Sequence, residues 1–87
     1  MNWTVEFDQH SLKQLSKLDK TVSRQILDYM EEISELADPF SRGSGLKGNL
    51  VGLWRYRVGD YRVICDIQAR VVTVFVVEIG HRSEIYD

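Results

Sequence analysis

Residues 53–63 read Leu-Trp-Arg-Tyr-Arg-Val-Gly-Asp-Tyr-Arg-Val, two alternating segments on either side of Gly59-Asp60. A glycine-containing pair between alternating runs is a two-residue hairpin signal. No other stretch constrains the fold so tightly. Strand side chains alternate between faces. Trp54, Tyr56 and Val58 therefore share a face with Tyr61 and Val63, while Arg55 and Arg57 take the other. A two-residue loop pairs position 57 with position 62. Arg57 and Arg62 then stand opposite each other, with Arg55 next along. Like charges directly opposite on a sheet destabilise it. Three guanidiniums gathered on one face point to an anion received there.

The rest of the chain supplies a core for this hairpin. The 87 residues fit one domain, 1–87, and 44% hydrophobic with 28% charged residues is a globular composition. Cys65 is the single cysteine. It excludes an internal disulfide, fits a reducing cytoplasm, and falls on the core face of its strand as a small hydrophobe. No apolar stretch reaches membrane-spanning length, and the N-terminus lacks the basic-then-apolar layout of a signal peptide. The net charge of −2 argues against nucleic acid as a partner, but it is unevenly spread. Residues 1–40 carry four Lys/Arg against eight Asp/Glu, and residues 41–87 seven against five. A basic half is thus hidden behind an acidic one.

Trp3, Val5 and Phe7 alternate with polar residues and predict a half-buried strand. Asp8 or Ser11 can cap a short helix carrying Leu12, Leu15 and Leu18. Thr21 is the expected cap of a second helix, with Val22, Ile26, Met30, Ile33 and Ala37 on one stripe and Asp38-Pro39 ending it. Residues 39–52 read as a glycine-dotted loop. After the hairpin and a turn near Ala69-Arg70, a strand Val71–Ile79 is apolar on both faces and so central in the sheet. The order β-α-α-β-β-β predicts an α+β fold. A helical hairpin covers one face of a small, mainly antiparallel sheet, and the arginine face stays open.

No His, Cys or carboxylate set has metal-ligand spacing, the glycines of the loop do not precede a helix as a phosphate loop requires, and no cofactor is implied. The remaining candidates are cationic and aromatic. Arg55, Arg57 and Arg62 share a face, His81 and Arg82 follow the last strand, Arg42 and Lys47 lie on the entering loop, and Tyr86 is near the end of the chain. Guanidinium forks match phosphate oxygens and stack on bases. The bland alternative is that these arginines pair with Asp66, Glu78 or the acidic first half.

Leu46-Lys47-Gly48, then Leu-Trp-Arg-Tyr-Arg-Val, Gly-Asp-Tyr-Arg-Val, and Val-Val-Glu-Ile-Gly-His-Arg-Ser-Glu-Ile-Tyr resemble the RelE branch of the RelE/ParE toxin superfamily. The opening Val-Glu-Phe-Asp and Leu-Lys-Gln-Leu-Ser-Lys-Leu-Asp are similar as well, so the resemblance spans nearly the whole chain. It implies a metal-free, ribosome-dependent mRNA endonuclease that inhibits translation and is silenced by a cognate antitoxin through an acidic, partly disordered segment. The antitoxin would also carry the complex to operator DNA.

By the same resemblance, Arg62 stabilises the scissile phosphate, Arg82 serves the leaving oxygen, Tyr86 orients or stacks on the nucleotide, and Lys47 contacts ribosomal RNA. Arg55 and Arg57 fall where relatives carry lysines. An arginine does not give up its proton, so Arg57 can act only electrostatically, and His81 becomes the expected proton carrier. The competing readings are a ParE-like toxin that binds DNA gyrase without catalysis, and an inactive antitoxin-binding module. Fold does not separate them, because function lies in the site.

Overall fold

The computed structural model describes residues 2–85. Strand β1 (Thr4–Phe7) leads into helices α1 (Gln9–Ser16) and α2 (Lys20–Glu35), followed by strands β2 (Ser44–Gly45), β3 (Trp54–Val58), β4 (Tyr61–Gln68) and β5 (Thr73–His81). The five strands form one sheet in the order β1-β5-β4-β3-β2. Only the β1–β5 pair is parallel. This is the expected α+β architecture with one added element, since the loop after α2 contains the short edge strand β2. Among the described residues no helix is long and apolar enough to cross a membrane.

Ile26, Met30 and Ile33 of α2 are buried against Tyr56, Val63, Cys65, Val74 and Val76 of the sheet. Each such side chain removed from water contributes about 2 kcal/mol. Asp19, not Thr21, caps α2, its carboxylate accepting the Thr21 N–H at 3.2 Å. Helical geometry begins two residues early because Asp19 reaches the same orphan donors. The helix stops at Glu35, with Leu36 already extended, so Ala37 lies beyond the stripe expected to include it. Asp38 instead caps a short 3-10 turn at Pro39–Ser41.

Helix α1 departs most from its apolar pattern. Asp8 caps it, its carboxylate accepting the Ser11 N–H at 2.8 Å, and that bond holds the carboxyl below its ordinary pKa. Leu15 is buried as expected, but Leu12 is 53% exposed and Ser11 is fully buried. The cause is position. α1 lies along β5 where β1 has ended, and the Ser11 hydroxyl donates to the Val76 carbonyl at 2.7 Å. A helix that meets a sheet edge needs polar groups to satisfy it.

The loop between α2 and β3 is fastened by aromatic donors. The Trp54 indole N–H donates to the Arg42 carbonyl at 2.7 Å, and the Tyr56 hydroxyl to the Pro39 carbonyl at 2.6 Å. Burial pushes that hydroxyl's pKa up, keeping it a donor. Gly43, at φ +79°, passes so close to the Arg55 carbonyl and the Trp54 indole that no Cβ fits.

Candidate functional site

The turn at Gly59-Asp60 fixes the hairpin register. Arg57 pairs with Arg62, Tyr56 with Val63 and Val58 with Tyr61. Tyr56, Val58 and Val63 enter the core, so the arginines occupy the face away from the helices. Arg57 is exposed, whereas Arg55 and Arg62 are half-buried. Arg55 Nη2 donates to Ser44 Oγ at 2.8 Å, a contact made by the unanticipated strand β2. Arg62 Nη1 donates to the carbonyl of Tyr61 at 3.3 Å, and its Nε is buried without a hydrogen-bond partner among the described residues. A buried guanidinium donor in that state is costly until an acceptor arrives.

Two of the acidic side chains proposed as neutralising partners have other contacts. Glu78 meets His10 and Gln14 of α1, and Asp66 accepts from Gln68 at 2.7 Å. Lys47 joins the arginines, lining with Ser44, Arg55 and Arg57 a groove of about 380 Å³. Arg42 does not join them. It pairs with Glu32 at 3.0 Å and lies over the Tyr29 ring.

The other half of this face is mainly apolar. Ile64 is buried there beside Leu46, Leu50, Leu53, Val77 and Ile85, which with Glu78 and Glu84 at its margin line a hollow of about 300 Å³. Ile85 belongs to the chain end. After β5 the backbone turns back, with Glu84 N–H donating to the His81 carbonyl at 2.8 Å and Arg82 N–H to the Asp60 carbonyl at 2.8 Å. This turn lays Ile85 on Gly80, whose Cα faces Arg62 across the ladder. A Cβ on Gly80 would stand 2.8 Å from Ile85 Cδ1. The glycine of the Gly-His-Arg segment is therefore a seat for the chain end beside Arg62. A docking role for Ile85 had no signal in the sequence, where it is one aliphatic residue in a polar tail.

The Arg82 guanidinium lies 3.9 Å from the Asp60 carboxylate, both side chains well exposed, a pair of little energetic weight. His81 goes to the other side of the sheet. It pairs with Tyr61, and the two rings meet edge to face at 5.4 Å. Its Nδ1 accepts the Ser83 N–H at 3.2 Å. His81 is the expected proton carrier, but strand alternation sets it on the side of the sheet away from Arg57 and Arg62. Tyr86 lies outside the described residues. Also among the described residues, no three His, Cys, Asp or Glu side chains gather closely enough to hold a metal ion.

A family model described as the ParE toxin of the type II toxin-antitoxin system parDE matches residues 5–86. Toxin RelG of Mycobacterium tuberculosis is 28% identical over 87 residues, spanning 99% of this chain and 98% of the relative. The mRNA interferase toxin RelE of Escherichia coli is 29% identical over 90 residues, spanning 99% and 92%. The RelBE2 toxin–antitoxin complex of M. tuberculosis contains a chain that superposes with a TM-score of 0.85 at 25% identity, covering 97% of this chain and 95% of that one. The isolated E. coli RelE toxin superposes at 0.74 with 25% identity, covering 91% and 83%. With the family model matching nearly the whole chain and the fold superposing on these toxins, the chain belongs to the ParE toxin family of type II toxin–antitoxin systems and is a RelE-type toxin of the RelE/ParE superfamily.

Proposed function

We propose that this toxin is an mRNA endonuclease acting on the ribosome without a metal of its own. The observation that carries the proposal is Arg62, half-buried opposite Arg57, with an unsatisfied Nε among the described residues. In the reaction the 2′-hydroxyl of one nucleotide attacks the adjacent phosphorus. The 5′-oxygen leaves, and a cyclic phosphate and a free 5′-hydroxyl remain. The 2′-hydroxyl must lose a proton, the leaving oxygen must gain one, and negative charge builds on the phosphoryl oxygens. Arg62 and Arg57 meet that charge with preorganised donors. Arg55, oriented by Ser44, and Lys47 hold the flanking backbone, and Arg82 serves the leaving side.

For proton transfer, His81 and Tyr86 are the two candidates. The His81 ring lies across the sheet from Arg57 and Arg62, packed against Tyr61, which weakens its candidacy and leaves the hydroxyl of Tyr86, the residue the resemblance names, as the alternative. A cognate antitoxin is the proposed partner, its acidic and partly disordered segment folding over the basic face, and operator DNA would be reached through it. The E. coli relative's name, mRNA interferase, supports the same reading.

Purified toxin incubated with programmed ribosomes and, separately, with naked mRNA tests the proposal. Cleavage confined to the ribosomal sample is expected. Intact message in both samples would reject it in favour of a non-enzymatic toxin.

A further inference from the structure

Beyond the arginine face, α1 does unusual work on β5. β1 accompanies β5 only from Thr73 to Val76. From Val76 onward side chains of α1 bond this edge of β5. The Ser11 hydroxyl bonds the Val76 carbonyl, and Gln14 Oε1 accepts the Ile79 N–H at 2.7 Å. Gln14 Nε2 meanwhile donates to Glu78 Oε2 at 2.9 Å, and His10 Nε2 lies 3.2 Å from Glu78 Oε1.

The same stretch of β5 contains a bulge. Cys65 pairs with Val76 but Ile64 with Glu78, so Val77 is an extra residue. One extra residue inverts the facing of everything after it. Carried on without the bulge, the Cys65–Val76 register would set Glu78 opposite Val63 in the core and Ile79 opposite Arg62. With it Ile79 is buried, and Gly80 stands opposite Arg62 as the seat for Ile85. The bulge therefore decides what the Arg62 side of the sheet meets.

We infer that Gln14 is a positioning residue for this site. By bonding the Ile79 N–H and the Glu78 carboxylate at once, it holds the bulge in place and keeps Gly80 in register with Arg62. Only the catalytic consequence of this role rests on the function proposed above.

Gln14→Glu keeps an acceptor for the Ile79 N–H but sets a carboxylate against Glu78. Adding Glu78→Gln returns a donor to the pair with the roles exchanged. The amide resonances of Gly80 and Arg82 and the single-turnover cleavage rate on saturated ribosomes are then compared. Gln14→Glu is expected to shift both resonances and to slow cleavage by about 10- to 100-fold at unchanged ribosome affinity, the scale of a small misplacement of catalytic groups. The double variant should return both readouts toward the parent. A purely structural Gln14 would lower the melting temperature and leave the rate per folded molecule unchanged, which would overturn the inference. A Gln14→Glu protein with unmoved resonances, or a double variant that does not recover them, would do the same. If Gln14→Glu does not fold, the double variant decides alone. A parent that does not cut would defeat the proposed function while the resonances still judge Gln14.

Discussion

Arg57 and Arg62 stand directly opposite each other across the β3–β4 ladder, on the side of the sheet that both helices leave uncovered. Two like charges in that relation are unfavourable for folding, and under the proposed function they meet a developing phosphate charge. Arg62→Ala should lower cleavage by about 100-fold, corresponding to roughly 3 kcal/mol for one oriented donor. Its melting temperature should equal or exceed the parent's, because little packing is lost and a repulsion is relieved. Growth on induction and a thermal melt read the two effects. A folded variant that arrests growth as the parent does would remove Arg62 from the site.

Gly80→Ala places a methyl group 2.8 Å from Ile85 Cδ1, so the Ile85 side chain must shift from its seat beside the Arg62 position. The expected result is loss of cleavage by about 10-fold or more through misplacement. Gly80→Ala with Ile85→Ala removes the clash but not the need for an anchor, and should stay impaired. Gly59→Ala is the control. Its Cβ would meet nothing within 4 Å, and only the positive φ of 58° is strained. It should cost about 1 kcal/mol of stability and leave the rate per folded molecule intact.

Helix α1 yields a paired stability prediction. Ser11→Ala removes a buried hydrogen bond and should cost about 1 kcal/mol. Leu12→Ser, on a side chain that is mostly in water, should stay within about 0.5 kcal/mol of the parent. Denaturant melts would show the serine change to be the more damaging, the reverse of what hydrophobic patterning alone implies.

The same helix marks where sequence reading ends. The hairpin was legible to the residue, because the two-residue turn leaves only one pairing of Arg57 with Arg62 and alternation then assigns every face. The stripe Val22, Ile26, Met30, Ile33 was legible for the same reason, since an apolar period identifies a buried face. Ser11 and Gln14 were not, because they are turned inward as polar groups and a periodic reading counts them as solvent-facing. The bulge at Val77 lies in a run of apolar residues whose alternation carries no marker for an inserted position. The face that His81 takes was not legible either, since it depends on the strand phase after the bulge. Strand β2 is two residues long, too short for any period to register.

Proton transfer separates His81 from Tyr86. With its ring packed edge-on against Tyr61, His81→Gln should reduce cleavage less than Tyr86→Phe does. A histidine base would bend the rate profile near neutral pH, whereas a tyrosine base keeps the rate rising toward alkaline pH. Single-turnover rates across pH on saturated ribosomes distinguish them. A dead His81→Gln beside a near-normal Tyr86→Phe would return the role to the histidine.

The central claim is that the arginine face cuts mRNA on the ribosome. Inducing the toxin without its antitoxin and mapping mRNA 5′ ends on matched translated and untranslated messages tests it most directly. New ends within translated codons, absent from the untranslated message and from cells making Arg62→Ala, are the predicted result. Growth arrest with intact messages and damaged DNA would contradict it and place the chain with toxins that act by binding gyrase.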